Sequence, residues 1–589
     1  MTAPINHKKR SGSGLIGESV TRLEDGPLVR GHGQFAADIS FENQIYMRIV
    51  RATHAHGAIR GIDTTAARAL AGVVAVWTAA DIVELEPIGF REGRVPELDP
   101  YRQYALATDR VRYVGEPVAV VFAENAYVAE DAADLVEIDI QELAAVTDAG
   151  AEPSAFDDGH MTEPTVIRKG YGDVETAFAK ADAIVELELE IGRHSGVPME
   201  TRGAIARYDA ARDVIEMYGA AKVPHRTRDQ IARLLKREID SVQLIEGHVG
   251  GGFGIRGELY PEDLLVCLAA LRLKRPVKWI EDRREHLIAA NHSRGQRHFI
   301  RGAVDRQGRL LAIDDRFYHD QGAYIRTHAA RVADLTAGML PGPYRVPTYR
   351  VNGHFRLTNK TPAATYRSPG RYESTFVRER LMDAIAARLG LDRIAVRRIN
   401  LIESAEMPYA RSIDALGEEV VYDSGDYAKL LDKALARIGW TDLQDALAKR
   451  RANGEMVGAG IGIFVEKGGL GPKDGVYITA AADGTIDPTE RHKTAALIAS
   501  NQSLSHFPPT ELQDKFNWYC DKLSGDFEFG KVEATATIGK LKSKPEQARA
   551  VIQIGIIIGG ADGTFDDHEK AVVRNACHAV GINPAEFEL

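Results

Sequence analysis

The sequence predicts an α+β protein in which large mixed α/β domains are followed by a small all-α tail. Three observations point that way. Apolar β-type runs alternate with helical periodicity from residue 18 to about 145, and again from about 170 to 402. A glycine-rich turn stands between a strand pattern and a helix pattern near residue 250. Residues 483–589 then switch to helical patterning with 16 acidic against 11 basic residues, a net of −5 out of the chain's −10.

The elements follow in order. "MTAPINHKKRSGSG" has basic residues and no apolar segment, so residues 1–14 are expected to be a disordered tail rather than a secretory signal. "AGVVAVWTAADI" and "EPVAVVFAEN" read as buried strands, with "AYVAEDAADLVE" as a helix after them. The polar stretch "AEPSAFDDGHMTEPT" is a linker. The second α/β region closes on "RERLMDAIAARLGLD", an amphipathic helix stopped by Gly390. A loose stretch leads to a short piece at 426–478 expected to contain Gly-rich strands. In the tail, Ser543, Pro545 and Glu546 open a helix through a capping box.

At 589 residues several domains are expected. The acidic balance excludes a nucleic-acid surface or a basic membrane patch. The apolar run at 550–560 falls short of the roughly 20 residues that span a bilayer. Cys267, Cys520 and Cys577 are far apart, which argues for a reducing, cytoplasmic setting and against a cysteine-ligated cluster in this chain.

"DSVQLIEGHVGGGFGIRGELYPEDLLVCLAALRL" carries the chemistry. Gly252, Gly254 and Gly257 satisfy G-x-G-x-x-G, a strand Val242–Ile245 precedes them, and a helix from about Glu258 to Leu273 follows. A second strand, "PVKWIE", ends in Glu281. This is the setting of a dinucleotide fingerprint, so an NAD-binding dehydrogenase acting through Gly252–Gly257 is one reading. A tight turn without a ligand is the plainer one.

The neighbouring residues support a third reading. "GHVGGGFGIRGELYPEDLLVCLAALRLKRPVKWIEDRREHL" resembles the molybdopterin-binding large subunit of the xanthine dehydrogenase, aldehyde oxidase and carbon monoxide dehydrogenase family. "VRYVGEPVAVVFAENAYVAEDAADLVEIDI", "VPMETRGAIA", "GAAKVPHRTR", "DQGAY" and "TYRSPGRYESTFVRERLMDAIAARLGLD" also match in the family's order. The resemblance covers residues 15–478. It implies an α/β hammerhead domain at 15–148, a first molybdopterin-binding domain at 165–405 and a fragment of the second at 426–478. It further implies a molybdenum–molybdopterin cofactor, a small organic substrate that is oxidised or hydroxylated, and a hetero-oligomer with FAD-binding and iron–sulfur subunits.

By the same resemblance Gly252, Phe253 and Gly254 face the cofactor, where glycine backbone can approach a bulky ligand and offer N–H donors. Arg367 stands beside substrate and metal, where its fork suits an anionic or carbonyl group. Lys222 in "GAAKVPH" occupies a position at which many members carry glutamine, a departure that bears on the substrate class. The family supplies a glutamate general base from its second cofactor half. That element is not found here, and Glu116, in the "VGEP" of the first domain, does not replace it.

"ADGTIDPTER" at 482–491 and "ADGTFDDHEK" at 561–570 share six of ten positions. They lack the alternating ligands of a calcium loop, whereas Asp487-x-x-Glu490 and Asp566-x-x-Glu569 are capping boxes for the helices that follow. Residues 480–589 resemble the tellurite-resistance TerB-like helical proteins, which implies an acidic all-α module linked to stress responses. With the second cofactor half and the glutamate missing, the enzyme part is expected to be incomplete or inactive alone, and the alternative reading makes this tail the functional part on a remnant enzyme scaffold. The first repeat lacks the apolar helix that precedes the second, so two cut modules are expected to meet near 475–485. The join is a fusion or recombination product, or an assembly error in the underlying sequence.

Overall fold

The apolar run Pro117–Ala123 is buried at every residue and lies inside a seven-stranded sheet. The computed structural model describes residues 19–91, 95–157, 159–219, 223–467, 552 and 567–587. Strand order across this sheet is Val242–Ile245, Val214–Gly219, Gly203–Asp209, Val277–Ile280, Ile45–Arg51, Pro117–Ala123 and Val73–Thr78. Ile45–Arg51 pairs in parallel with Val277–Ile280, so strands from both sides of the 151–165 stretch share one ladder; that stretch, expected as a linker, carries the short antiparallel pair Ala155–Asp157 and His160–Met161. Side chains alternate between two cores, as a two-residue period requires. Val120 and Phe122 join Leu264, Leu265 and Leu268 of the helix Pro261–Leu273, while Ala119 and Val121 join Ala132 of the helix Ala126–Asp134.

A second, five-stranded sheet runs Ala183–Ile191, Gln296–Val304, Leu310–Gly322, Thr348–Leu357, Val166–Tyr171. The helix Arg371–Leu389 packs on its first two strands. That helix ends at Gly390 with φ 67°, the left-handed stop its position predicts, and Leu391 N–H donates to the Ala386 carbonyl at 2.9 Å.

The expectation of Gly-rich strands at 426–478 is corrected for the described residues. They form two helices, Tyr427–Ile438 and Trp440–Ala452, followed by an irregular stretch to residue 467. Among the described residues no strand pairs with 457–467. Its carbonyls are met instead by side chains: Arg393, Arg397 and Arg378 donate to Ala459, Ile461 and Ile463 at 3.1, 3.1 and 2.9 Å.

The chain divides into two compact units, Met1–Glu466 and Lys467–Leu589. In the second, the helix Asp567–Val580 confirms the expected "EKAVVRNACHAV" helix, and Val573, Cys577 and Val580 bury Ile552. The 475–485 join, the first repeat, the Ser543 cap and Cys520 lie outside the described residues. Among the described residues no helix is long and apolar enough to cross a membrane, and no group of metal-ligating side chains is present.

A buried ion network ties the seven-stranded sheet together. Arg202 donates to Glu262 at 3.1 Å and to Glu281 at 3.0 Å; Arg51 meets Glu262 at 2.6 Å and Glu285 at 2.8 Å. His286 bonds the other Glu281 oxygen at 2.7 Å, and the Arg202 guanidinium lies 4.0 Å from the Tyr260 ring centre. Burial alone would raise the Glu262 carboxyl, but Arg202 and Arg51 outweigh it and bring it down to about 2. Removing Arg202 takes the guanidinium away from buried Glu281, leaving it His286, and leaves buried Glu262 with Arg51 alone, so Arg202→Leu should cost about 3–5 kcal/mol in denaturant unfolding. A loss below about 1 kcal/mol would show that the network is not what closes the sheet.

Candidate functional site

The strand Val242–Ile245 delivers a loop whose backbone is fixed before its side chains matter. Glu200 clamps the approach: its N–H donates to the Gly250 carbonyl at 3.1 Å, and its carboxylate accepts from Gly250 N–H at 2.7 Å. Gly251, Phe253 and Gly254 then take φ of 103°, 50° and 106°. Left-handed backbone is costly for Phe253 and easy for the glycines. The turn closes with Ile255 N–H on Gly252 O and Gly257 N–H on Gly254 O, both at 2.9 Å.

The facing loop comes from more than a hundred residues later. Arg367 N–H donates to Phe253 O at 2.7 Å, joining the two loops by backbone. Arg294 holds the second loop from behind. It bonds Glu373 at 3.1 Å and the Arg367 carbonyl, and packs over Tyr372 at 4.2 Å. Ser368 donates to the Glu466 carboxylate at 3.1 Å, and Arg371 pairs with the same group.

Gly252, Phe253, Gly254 and Arg367 therefore line one cleft of about 550 Å³, together with Arg256 and Arg371. Phe253 is 47% exposed, so it is not a core aromatic. The exposed Arg367 guanidinium has no hydrogen-bond or ion-pair partner among the described residues, so it is not a surface ion pair. Arg256 is anchored to the Glu200 and Thr201 carbonyls at 2.9 and 2.6 Å, while its buried Nε has no partner. Lys222 lies outside the described residues, and the helix Pro224–Leu234 begins just after it.

The glycines differ in a way that bears on a ligand. A Cβ on Gly254 would come within 2.9 Å of both the Thr365 methyl and the Thr365 carbonyl, so the fold itself demands glycine there. Gly252 has no positive φ, and a Cβ would meet nothing nearer than Arg256 at 3.7 Å. Packing does not exclude a side chain at 252, and its absence opens the cleft floor to close backbone approach. A bulky anionic cofactor fits such a cradle, lined by glycine backbone and three arginines.

The dinucleotide reading is overturned here. Glu281, its ribose-binding acid, is fully buried and bonded by Arg202 and His286. Trp279, on the strand that ends before Glu281, is 1% exposed. The helix begins at Pro261, several residues beyond the glycine turn, and its first turn is capped by Asp263 accepting from Tyr260 N–H at 3.1 Å. A pyrophosphate on Gly252–Gly257 would not meet that helix N-terminus.

Glu116 is likewise closed off. Tyr324 O–H donates to it at 2.5 Å and Arg112 N–H at 2.5 Å, and it is 2% exposed. Burial pushes its carboxyl up to about 7.

The comparisons with known proteins agree with this architecture. The model of the aldehyde oxidase and xanthine dehydrogenase a/b hammerhead domain matches residues 30–144, that of the molybdopterin cofactor-binding domain 158–401, and that of the tellurite resistance protein TerB 476–589. The chain belongs to the family of molybdenum hydroxylase large subunits, joined to a TerB domain.

It is 38% identical to the 6-hydroxypseudooxynicotine dehydrogenase complex subunit gamma of Paenarthrobacter nicotinovorans, over 80% of this chain and 60% of that one. It is 31% identical to the carbon monoxide dehydrogenase large chain of Afipia carboxidovorans, over 81% of this chain and 61% of that one. It thus spans about three fifths of these relatives. The nicotinate dehydrogenase large molybdopterin subunit of Eubacterium barkeri is 28% identical and is matched over 98% of its own length. Among solved structures, quinoline 2-oxidoreductase from Pseudomonas putida 86 superposes with a TM-score of 0.71 at 31% identity, over 79% of this chain and 58% of that one.

Sequence reasoning found the glycine turn and Arg367 through their motifs. It missed Glu200, although the matching segment "VPMETRGAIA" contains it, and it missed Arg294 and Glu466, since each of the three acts on a loop distant in the chain.

Two outcomes are expected. Gly254→Ala should destabilise the fold by about 1–3 kcal/mol in thermal or denaturant melts, whereas Gly252→Ala should change stability by no more than about 0.5 kcal/mol. Glu116 holds its proton more tightly folded than unfolded. Its contribution is therefore complete below its ordinary 4.5 and is lost as pH rises through about 7. Glu116→Gln should flatten the fall in denaturant midpoint between about pH 5 and about pH 8; an unchanged slope would refute it.

Proposed function

We propose that the front of this chain holds a molybdenum–molybdopterin cofactor in the Gly252–Gly254 cleft. It would serve as the cofactor-binding large subunit of a hydroxylase that oxidises a small organic molecule. The observation that carries this reading is the Arg367–Phe253 backbone bond, which sets an open glycine floor, an exposed ring and an unpaired guanidinium on one cleft. When bound, the cofactor would supply the two-electron oxidation.

The chain's own residues would do the rest. Gly252 and Gly254 give close approach and N–H donors. Arg367 orients an anionic or carbonyl group through its planar fork. Phe253 shields one side from water. Lys222 would stand as a charged donor where relatives carry a neutral one.

Glu466 does not serve as the general base, because Arg371 and Ser368 hold it. We place the base and the second cofactor half on another chain, with FAD-binding and iron–sulfur subunits carrying electrons away in the cytoplasm. The Eubacterium barkeri relative supports this division, since a subunit matched over 98% of its length is a form in which the family occurs. The acidic tail, matched by the TerB model, would be a separate stress-linked module.

The test is expression with candidate partner subunits, followed by metal analysis and pterin fluorescence of the purified complex. Molybdenum and pterin near one per chain are expected, with both falling at least tenfold in Gly252→Ala at unchanged melting temperature. A complex that melts normally and carries neither would sink the proposal.

A further inference from the structure

A second cleft opens beside the glycine loop and shares none of its lining residues. It encloses about 480 Å³, a volume suited to a small ligand. Phe90, Arg91, Arg226, Gln230, Arg233 and Arg237 form its walls. The helix Pro224–Leu234 places Arg226, Gln230 and Arg233 at i, i+4 and i+7, so they share one face. Gln230 fixes the opposite wall by donating to the Gly89 carbonyl at 2.9 Å. An Arg233 nitrogen lies 2.8 Å from where a Cβ on Gly89 would stand, so this guanidinium borders the same wall.

Charge is what sets this cleft apart. Four guanidiniums share its walls with a single carboxylate, Asp229, which Arg228 already engages at 3.0 Å. Arg237 is occupied by Asp213 at 2.7 Å and Ser241 at 3.1 Å, and Arg91 by the Gly257 carbonyl at 2.7 Å. Arg226 and Arg233 have no hydrogen bond, ion pair or ring contact among the described residues. Like charges gathered in one concavity repel, and the field they focus attracts an anion. Two free forks match the two oxygens of a carboxylate, and the half-buried Phe90 ring adds a flat apolar wall.

We propose that this cleft binds a small aromatic carboxylate, its oxygens taken by Arg226 and Arg233 and its ring laid against Phe90. The site stands apart from the cofactor reading, since none of its residues faces the glycine-loop cleft. Arg91, bonded to the last residue of the glycine turn, is the physical link between the two. It also donates to His328, whose other nitrogen lies 3.1 Å from Thr365 on the cofactor-side loop.

The test uses the full-length chain without cofactor and titrates benzoate by calorimetry. Saturable binding with Kd of about 1 mM or tighter is expected, and benzyl alcohol should not bind. Arg226→Ala with Arg233→Ala should weaken benzoate at least tenfold while the melting temperature holds. Arg226→Lys with Arg233→Lys, which keeps charge but loses the fork, should weaken it several-fold. If the double alanine variant does not fold, the lysine variant decides.

No saturable benzoate binding, equal affinity in the deciding variant, or equal uptake of benzyl alcohol would each overturn the proposal. Inorganic phosphate binding tighter than benzoate would overturn the carboxylate class.

Discussion

Arg202 is where the architecture is decided. Its guanidinium sits inside the protein between Glu262 and Glu281, with Tyr260 against its face. A buried cation is tolerable only where carboxylates and hydrogen bonds compensate it. That demand fixes three pieces at once: the entry to the strand Gly203–Asp209, the first turn of the helix Pro261–Leu273, and the end of the strand Val277–Ile280. Arg51 extends the same network to the N-terminal strands, which is how two stretches separated by a linker come to share one sheet.

The glycine turn inherits its position from this frame. It spans the gap between the strand Val242–Ile245 and that helix, both held in place by the sheet and the network beneath it. Glu200, two residues before Arg202, reaches up to pin Gly250, so the network and the clamp are neighbours in sequence. The strain at Phe253 is sustained because Glu200 on one side and Arg367 on the other hold the turn by backbone bonds. The backbone that carries the exposed aromatic and the unpaired arginine is thereby held in place, which removes the backbone share of the ordering cost of binding.

Much of this was legible in the chain. The Val242–Ile245 strand, the Gly390 stop and the alternating burial of Pro117–Ala123 follow from periodicity and left-handed glycine, which are local properties. Gly252, Phe253, Gly254 and Arg367 were found because a motif marks each. Of the strands expected near 426–478, none stands among the described residues, for a non-local reason: an extended segment becomes a strand only when another is beside it, and 457–467 meets arginine side chains instead. Glu281 failed likewise. Its spacing suited a ribose-binding acid, but a partner 79 residues away claimed both its oxygens' surroundings.

The amino-acid order by itself determined the α+β class, the acidic tail's helix at Asp567–Val580 and the glycine turn, because composition, period and backbone freedom act over a few residues. The tertiary structure alone decided which charges are spent and which are free. Arg202, Arg294 and Arg371 are consumed by carboxylates distant in the chain, while Arg226, Arg233 and Arg367 are not. Arginine reads the same in every sequence window; only folding sets the distance and burial that turn it into a structural brace or a binding group.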